Sequence, residues 1–479
     1  MIPIPLVQRW AVERVYRPSM SGLEWLGYAK PMLRTLECFA CGEVATQQGV
    51  LRATPTDGPQ RLLFACPVCG THRYDVPPPA AAGPASTALR HHVEYAADFP
   101  AIARALADVL DGDDPGTLLI AGCGFGFGVA MARAGGWAAF GFDPDPVAAA
   151  GRAALSCTIS HRGTPDPVGP GRFDAMVVDG MLGRADDPYA LAVDLAGRLV
   201  EGGPLLVNEP DVAALYKARD PGAMSAIAGP DRAMMLPTAD GLTRLLARAG
   251  FGDHAVVADG GRLRACRDAG QPSEAEALLA AYFDDWTPVP VTGDRATGPI
   301  AGLAVRALER AVNAGDWPRA RAIADALGPV LDGVHTLSAL QSSDGSLETM
   351  FAHLPFGAAS AAYHAAMLAL NGDGDAVRAR AGFLATAALS RAAYLAGPDR
   401  MLPEVDRVWA ARFHAALAGS IAGDAGAGAL FDEIAAGQTD FPLPPPAAGW
   451  MARAAQHRRP EPVAAGRTPL RRKKRGATS

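Results

Sequence analysis

Two pairs of cysteines near the N-terminus are spaced to hold a metal ion. Each pair has two intervening residues and a glycine directly after its second cysteine, and 24 residues separate the pairs. Thiolates from two such turns can surround one zinc ion tetrahedrally, and the metal replaces the hydrophobic core that so short a segment cannot build. The sequence therefore predicts a zinc ribbon with Cys38, Cys41, Cys66 and Cys69 as the ligands.

The alternative for these cysteines is a pair of redox-active or simply buried turns, but two matched pairs in one short segment favour a metal. An odd total of 7 cysteines in a long chain favours a reducing compartment over a disulfide framework. His72, three residues after Cys69, is a candidate substitute ligand. Because four cysteines already complete the set, we expect His72 to face solvent. A zinc ion with four thiolates has no open position, so its role is expected to be structural and not catalytic.

A glycine-rich turn in residues 118–128 follows a predicted buried strand and opens a predicted helix. Glycines at such a position let the backbone approach a cofactor without an intervening Cβ, although turns of this kind also occur for packing alone. Asp143 lies 21 residues after Gly122, at the end of the next predicted strand, where its carboxylate can accept hydrogen bonds from both hydroxyls of a ribose. Together the two features indicate a site for a ribose-containing cofactor.

Strands and helices alternate around these residues, and the alternation predicts a parallel sheet with crossover helices. The predicted strands are Thr117 to Ala121, Ala138 to Phe142, Phe173 to Val178 and Pro204 to Val207. Upstream, a Pro- and Ala-rich connector over residues 77–89 is stiff and cannot pair its backbone, so we place a domain boundary there. The N-terminal segment, residues 1–76, is therefore expected to fold separately. On that view, Cys38→Ser releases zinc but leaves cofactor binding largely intact.

Five motifs in sequence order resemble those of the class I S-adenosylmethionine-dependent methyltransferases. They are Ala121–Gly126, Gly141–Pro144, Phe173–Asp179, Arg198–Val207 and Pro237–Phe251. The resemblance implies an α/β fold class, with a Rossmann-like methyltransferase domain over residues 90–270 between the N-terminal zinc ribbon and a C-terminal all-α domain. It also implies S-adenosyl-L-methionine as the cofactor. The cofactor-binding set that it implies is Gly122, Cys123, Gly124, Gly126, Asp143 and Asp179.

Three departures from the family pattern limit what the resemblance implies about catalysis. Ile120 stands where many members carry an acid, residues 179–188 lack the Glu-His pair of many relatives, and residues 160–172 offer only Asp166 near the expected adenine. Catalytic residues are left unassigned, because methyl transfer depends mainly on positioning. The ionisable residues expected nearest the methyl group are Asp179, Glu209 and His161, each predicted to be a solvated loop residue. Cys123 is predicted to be a small packing residue.

Residues 271–450 are predicted to form successive helices, with a Gly-Asp phrase recurring at Gly315, Gly374 and Gly423. The uneven spacing predicts helical hairpins of tetratricopeptide-like character and not a regular array. Such a domain could bind a protein partner or form a wall of the substrate cleft. The final segment, residues 451–479, is basic and is predicted to be disordered.

The net charge of −6 gives no electrostatic footprint for nucleic acid across the chain. The first residues lack the apolar run of a secretory signal. The longest apolar stretch, residues 351–370, is rich in Ala and contains His and Pro, which suits a packed helix better than a bilayer span. We therefore predict a cytoplasmic protein with no membrane segment.

The methyl acceptor is not determined by the fold. Resemblance to zinc-carrying relatives suggests a sugar or polysaccharide intermediate first and RNA second. A hypothesis from a different class is a non-catalytic scaffold, in which a degenerate methyltransferase domain binds a protein partner. Ile120 and the altered loop at residues 179–188 motivate that alternative.

Overall fold

The computed structural model divides into two compact units, residues 1–289 with 298–303 and residues 290–297 with 304–479. The predicted connector from residue 79 onward, His161, Asp166 and residues 458–479 lie outside the described residues. The structure describes residues 23–26, 31–55, 58–78, 99–110, 115–160, 169, 171–218, 224, 227–229, 233–252, 254, 256–259, 262–266, 272–284, 298–332, 357–396, 405–437 and 447–457.

The first unit mixes strands and helices. Its strands are β1 (Leu23–Trp25), β2 (Leu33–Glu37), β3 (Val44–Ala53), β4 (Arg61–Ala65), β5 (His72–Tyr74), β6 (Thr117–Ala121), β7 (Ala138–Phe142), β8 (Ile159–Ser160), β9 (Ala175–Asp179), β10 (Leu205–Pro210), β11 (Met235–Leu236), β12 (Val256–Asp259) and β13 (Arg262–Cys266). Its helices are α1 (Phe99–Ala107), α2 (Phe127–Ala134), α3 (Pro146–Leu155), α4 (Pro188–Arg198), α5 (Val212–Lys217), α6 (Ala239–Ala249) and α7 (Pro272–Asp284). A short 3-10 helix covers Leu182–Arg184.

Seven strands of this unit form one sheet in the order β12-β13-β10-β9-β6-β7-β8. The five strands from β10 to β8 are parallel, whereas β13 is antiparallel to both β10 and β12. The predicted parallel sheet is confirmed, and the predicted strand Thr117 to Ala121 coincides with β6. Because β6 lies between β7 and β9, the turns that follow these three strands meet at one edge of the sheet.

The second sheet joins the N-terminal residues to the segment before α6. Strands β1, β3, β4 and β5 pair in that order, β2 pairs with β3, and β11 pairs antiparallel with β5. The fully buried Arg61 donates to the carbonyl of Ala233 at 2.7 Å, and the Tyr74 hydroxyl donates to the carbonyl of Ala228 at 3.0 Å. The N-terminal segment therefore pairs with and packs on the rest of the first unit. The composition of the connector, in contrast, predicts a segment that folds separately. Connector composition carries no information about strands that pair across more than 150 residues.

Helix α7 lies beyond the predicted boundary at residue 270 and packs on the first unit. The ring of Phe99 in α1 lies 5.3 Å from that of Tyr282 and 5.5 Å from that of Phe283. Phe99 is fully buried and also contacts Phe127 of α2, at 4.9 Å between ring centroids. By packing, the first of the predicted C-terminal helices thus belongs to the α/β unit.

The second unit is helical throughout its described residues. Its helices are α8 (Gly298–Ala314, whose first six residues group with the first unit), α9 (Trp317–Ala326), α10 (Ala358–Asn371), α11 (Ala376–Ala396), α12 (Val405–Ile421), α13 (Ala427–Ala435) and α14 (Ala447–Gln456). Trp409 is fully buried in a core that includes Phe413 and Phe431. Helix α14 runs past residue 450, into the predicted tail. Within the described part of the chain, no helix combines the length and apolar character required to cross a bilayer.

The recurring Gly-Asp phrase marks the turns between helices of this unit. Gly315, Gly374 and Gly423 all have positive φ, from 69° to 75°, and they lie in the turns after α8, α10 and α12, in the left-handed conformation that glycine favours. In the first two turns the aspartate that follows caps the next helix: Asp316 accepts from the Arg319 N–H and Asp375 from the Arg378 N–H. In the third, Asp424 accepts from the N–H of Gly426, the residue before α13. The local signal therefore specifies helical hairpins, while a tetratricopeptide-like repeat stays a prediction.

Candidate cofactor site and cysteine cluster

The glycine turn after β6 combines two glycines required by packing with one that faces open space. Gly122, Gly124 and Gly126 have φ values of 85°, 53° and 95°. A Cβ on Gly122 would lie 2.1 Å from the carbonyl oxygen of Asp179, and one on Gly126 would lie 2.4 Å from Ile159 Cδ1. A Cβ on Gly124 would meet nothing within 4 Å. The backbone at Gly124 can therefore contact a ligand directly.

Asp143, directly after β7, is held against this turn. Its carboxylate accepts from the Gly124 N–H at 3.0 Å through Oδ2 and from the Asp145 N–H at 2.9 Å through Oδ1. The side chain is 1% exposed. Two backbone donors leave about half of the acceptor positions of an ionised carboxylate free for other partners. The carboxylate is thus fixed beside the glycine turn with acceptor capacity to spare.

Arg184, at the end of the 3-10 helix, covers the Asp143 carboxylate. Its Nη2 atom lies 3.6 Å from Asp143 Oδ2, and its Nε atom donates to the carbonyl of Gly180 at 2.7 Å. The Arg184 side chain is 29% exposed. A ligand that reaches Asp143 from the sheet edge must therefore meet Arg184.

Asp179, at the end of β9, accepts from two side chains, one on the adjacent strand β10 and one on β13, the strand beyond it. Its Oδ1 atom accepts from Asn208 Nδ2 at 3.0 Å and from Arg262 Nη2 at 2.5 Å. The Asp179 side chain is 42% exposed, as expected for a loop position at the rim. These contacts hold the carboxylate over the end of β9, next to the backbone carbonyl that Gly122 approaches.

Glu209 is buried, which corrects the prediction of a solvated loop residue. Its two carboxylate oxygens accept from the backbone N–H groups of Leu182 and Gly183, at 2.8 and 3.1 Å. Burial raises the pKa of Glu209 to about 7, an effect that the two backbone donors and the nearby Arg184 partly oppose. The residue holds the start of the 3-10 helix that carries Arg184.

Cys123 packs inside the glycine turn. A Cβ on Gly141 in β7 would lie 2.7 Å from its sulfur, so the thiol fills the space that this glycine leaves. Burial and the Asp143 charge raise the pKa of Cys123 well above its ordinary value. A neutral, enclosed thiol is a packing group and a poor nucleophile.

The four N-terminal cysteines form one cluster whose geometry fits a tetrahedral zinc ion. All four sulfurs lie within 4.8 Å of one another, with 3.6 Å between Cys38 and Cys69 and 3.8 Å between Cys41 and Cys66. Zinc–sulfur bonds of about 2.3 Å place tetrahedral sulfurs roughly 3.8 Å apart. Both turns close in the same way, with the N–H of Gly42 or Gly70 donating to the carbonyl of the first cysteine of its pair.

Helix α6 holds both cysteine turns. At its start, the Thr238 hydroxyl donates to the carbonyl of Cys69 at 2.6 Å. In its last turn, Arg248 Nη1 donates to the carbonyls of Phe39 and Ala40 at 3.1 and 2.9 Å. Residues Leu242, Leu245 and Leu246 of α6 belong to the same buried cluster as Cys38, Cys66 and Cys69. The cysteine cluster is therefore built onto the α/β unit.

His72 does not face solvent as predicted. It is buried, its Nδ1 atom lies 2.8 Å from the carbonyl oxygen of Gly70, and its Nε2 atom lies 2.6 Å from the Tyr216 hydroxyl oxygen. Burial lowers the pKa of His72 to about 4, so its imidazole is neutral near pH 7. The residue links the second cysteine turn to α5.

Residues 89–256 match the model of a family described as a methyltransferase domain. The chain carries a methyltransferase domain. The matched residues span the whole glycine turn, Asp143 and the loop after β9. The resemblance predicts Asp143 as the ribose-binding position and Asp179 as the position beside the methyl group. Asp143 directly follows β7 and Asp179 ends β9, and these two strands lie on either side of β6 in this methyltransferase domain.

Comparison with curated proteins finds no match to this chain. Among solved structures, a complex of the Haloferax volcanii Trm112 methyltransferase activator with a methyltransferase is 15% identical, covers 39% of this chain and 96% of the matched one, and has a TM-score of 0.31. An O-methyltransferase family 2 protein from Planctomyces limnophilus is 18% identical, with coverages of 40% and 63% and a TM-score of 0.30. The 1,6-didemethyltoxoflavin-N1-methyltransferase of Burkholderia thailandensis is 16% identical, with coverages of 46% and 99% and a TM-score of 0.28.

The structure brings the predicted cofactor-binding residues together in one region, next to further polar side chains. The predicted glycines, Cys123, Asp143 and Asp179 all lie at the carboxyl edge of β6, β7 and β9, whereas His161 lies outside the described residues. Sequence analysis missed Arg184, Asn208 and Arg262. The sequence signal for Arg184 is its position in residues 179–188, the loop whose pattern departs from the family. Its contact with Asp143 could not be predicted, because 41 residues separate the two along the chain.

Proposed function

We propose that this protein transfers a methyl group from S-adenosyl-L-methionine to an acceptor bound at the carboxyl edge of the seven-stranded sheet. The observation that carries the proposal is the Asp143 carboxylate, fixed by the Gly124 N–H at 3.0 Å beside the open face of the glycine turn. A non-catalytic scaffold does not require a buried carboxylate with free acceptor positions beside the glycine turn. The methyltransferase family match over residues 89–256 supports the same conclusion.

The residues at this edge fit the cofactor by chemistry. Asp143 accepts hydrogen bonds from the two ribose hydroxyls, and the backbone at Gly122, Cys123, Gly124 and Gly126 lies against the ribose and methionine parts. Asp179 flanks the reacting end. When bound, the cofactor supplies an electrophilic methyl group on sulfur. The contribution of the protein is to align that group with the acceptor nucleophile and to exclude water.

The cysteine cluster is proposed to hold a structural zinc ion. The proposal is supported by four sulfurs that lie within 4.8 Å of one another, and a site with four thiolate ligands leaves no coordination position for substrate. Since α6 contacts both cysteine turns, the metal stabilises the α/β unit and has no direct part in methyl transfer.

For the acceptor, we propose a sugar or polysaccharide intermediate, with RNA as the second candidate, in a cytoplasmic setting. RNA and a neutral sugar differ in how strongly their binding to the protein depends on salt concentration. Release of counterions makes RNA binding weaken steeply with salt, whereas a neutral sugar binds with little salt dependence. Filter binding of an RNA oligonucleotide at several salt concentrations would separate them, and tight salt-dependent binding would overturn the sugar assignment.

The cofactor assignment is tested by calorimetric titration with S-adenosylmethionine and S-adenosylhomocysteine. We expect micromolar binding of both, and a loss of about 1 to 3 kcal/mol in Asp143→Ala, which removes hydrogen bonds to a charged acceptor. Asp240→Ala is the matched control, since Asp240 is an exposed acid paired with Arg244 on α6. No binding at millimolar cofactor would favour the scaffold instead, and equal affinity of wild type and Asp143→Ala would refute the ribose role.

A further inference from the structure

The side chain of Arg184 crosses the end of β6. Its Nε atom bonds to Gly180, which follows β9, and its Nη2 atom contacts Asp143, which follows β7. Strands β9 and β7 are the two neighbours of β6, so they lie roughly 10 Å apart at about 4.8 Å per strand. A guanidinium that reaches from one turn to the other must pass over the glycine turn between them.

Asp143 is the acid that Arg184 pairs with. Asp179 is engaged by Arg262 and Asn208, and Glu209 by two backbone N–H groups. Asp143, at 1% exposure, is an almost fully buried carboxylate whose cationic neighbour is Arg184. Separating such a pair without new partners is unfavourable, because the buried carboxylate is left poorly solvated.

We infer that Arg184 determines which nucleosides the site accepts. When the ribose hydroxyls bind Asp143, the Arg184 guanidinium leaves Asp143 and pairs with the carboxylate of the methionine moiety. This inference rests on the proposed function and adds a role that sequence analysis did not assign. A ligand with both a ribose diol and an amino-acid carboxylate satisfies Asp143 and Arg184 at once. A nucleoside without the carboxylate breaks the ion pair and brings no anion of its own to replace Asp143 at the guanidinium.

The side-chain chemistry of arginine suits this exchange. The planar guanidinium presents several donors and can bind a carboxylate through two parallel hydrogen bonds while it keeps a third to Gly180. Lysine has a single ammonium group and no fixed fork, so it can make only part of the exchange. Arg184→Lys is therefore expected to fall between wild type and Arg184→Ala.

The test compares S-adenosylhomocysteine with its decarboxylated form, which differs by the carboxylate alone. In wild type, we expect the parent compound to bind at least about tenfold more tightly, as loss of a charge-assisted pair implies. In Arg184→Ala, S-adenosylhomocysteine should bind more weakly and the decarboxylated compound more tightly than in wild type, so that the affinity ratio falls about tenfold or more. Arg244→Ala, an exposed arginine of α6, should leave both affinities and their ratio unchanged.

Calorimetric stoichiometry reports the folded fraction, so the ratio stays interpretable for a partly unfolded variant, and Arg184→Lys gives a second, milder test. An unchanged ratio in Arg184→Ala, or an equal loss for both ligands, would overturn the exchange and leave Arg184 a packing residue. Failure of wild type to bind either nucleoside would refute the proposed function itself, and the inference with it.

Discussion

At the scale of single residues, the site is decided by what each position touches and not by its type. Gly122 and Gly124 are both left-handed glycines of one turn, yet one abuts a backbone carbonyl and the other faces open space. Asp143 and Glu209 are both buried acids at strand ends that accept two backbone N–H groups each, yet Asp143 lies beside the open face of the glycine turn whereas Glu209 holds the 3-10 helix. These differences lead to separate predictions.

Alanine at Gly122 and at Gly124 should fail in different ways. Gly122→Ala places a Cβ 2.1 Å from a carbonyl oxygen, so we expect a large loss of stability. Gly124→Ala adds only the left-handed strain of a non-glycine residue, about 1 to 2 kcal/mol, but projects a methyl into the proposed cofactor space. Thermal unfolding and S-adenosylhomocysteine titration distinguish the two. A folded Gly124→Ala with wild-type affinity would show that the ligand does not use this face.

Glu209 should make stability fall as pH rises. With a folded pKa of about 7 and an ordinary value of 4.5, Glu209 retains a proton in the folded protein that the unfolded chain releases. Its contribution therefore declines between about pH 4.5 and 7. We expect the free energy of unfolding of wild type, minus that of Glu209→Gln, to be about 2 kcal/mol smaller at pH 8 than at pH 5.

Urea unfolding at the two pH values measures this difference. Glu201→Gln, at an exposed position of the same domain, is the control and should show no such change. Parallel pH dependences of wild type and Glu209→Gln would mean that Glu209 stays ionised in the folded protein.

At the scale of elements, α6 couples the cysteine cluster to the methyltransferase domain. It meets one cysteine turn at Thr238 and the other at Arg248, and strand β11, shortly before it, completes the N-terminal sheet. The N–H of Met234, next to β11, also donates to the carbonyl of Gly183 in the 3-10 helix. Loss of zinc in Cys38→Ser is therefore expected to weaken cofactor binding, in contrast to the expectation for separate domains.

Arg248→Ala should loosen the zinc site without touching a cysteine. The variant loses two hydrogen bonds from a charged donor to the first cysteine turn. We expect release of zinc to a chromogenic chelator to be about tenfold faster or more. Arg244→Ala, one turn earlier on the same helix and paired only with exposed Asp240 among its described contacts, should release zinc at the wild-type rate. Identical rates for the two variants would argue against a role of α6 in holding the ribbon.

At the scale of the whole molecule, the chain forms two units, each with its own hydrophobic core. All proposed cofactor contacts lie in the first unit, at the turns after β6, β7 and β9. The second unit is held by cores such as that around Trp409, and its hairpins are set by left-handed glycines and aspartate caps. Residues that bind a ligand and those that shape the helical unit can therefore be examined independently.

Hydrogen exchange should locate the ligand on the whole chain. With saturating S-adenosylhomocysteine, we expect slower exchange of backbone amides at residues 122–126, 143–145 and 180–184, because bound ligand suppresses local opening. Peptides from α10 to α13 should be unchanged. Protection confined to the helical unit would place the ligand elsewhere and contradict the proposed site.

Features that depend on neighbours along the chain could be predicted from the amino-acid sequence alone. The spacing of Cys38, Cys41, Cys66 and Cys69 specifies a metal cluster because two short turns suffice to present four sulfurs. Strand β6 and its glycine turn follow from a run of apolar residues that ends in glycines, and the Gly-Asp turns specify the helical hairpins. Asp143 was found from its distance to Gly122, since one βα unit has a nearly fixed length.

Contacts between distant parts of the chain became visible only in the folded structure. Three features depend on how separate elements pack. They are the contact of Arg184 with Asp143, the burial of Glu209 and His72, and the hydrogen bond from Arg248 to a turn 208 residues away. The residues next to each of these positions along the chain do not distinguish it from an exposed polar position, so periodicity and spacing do not reveal these contacts. The burial and the partners of a polar side chain are set by the surface that docks on it, and that surface comes from distant sequence.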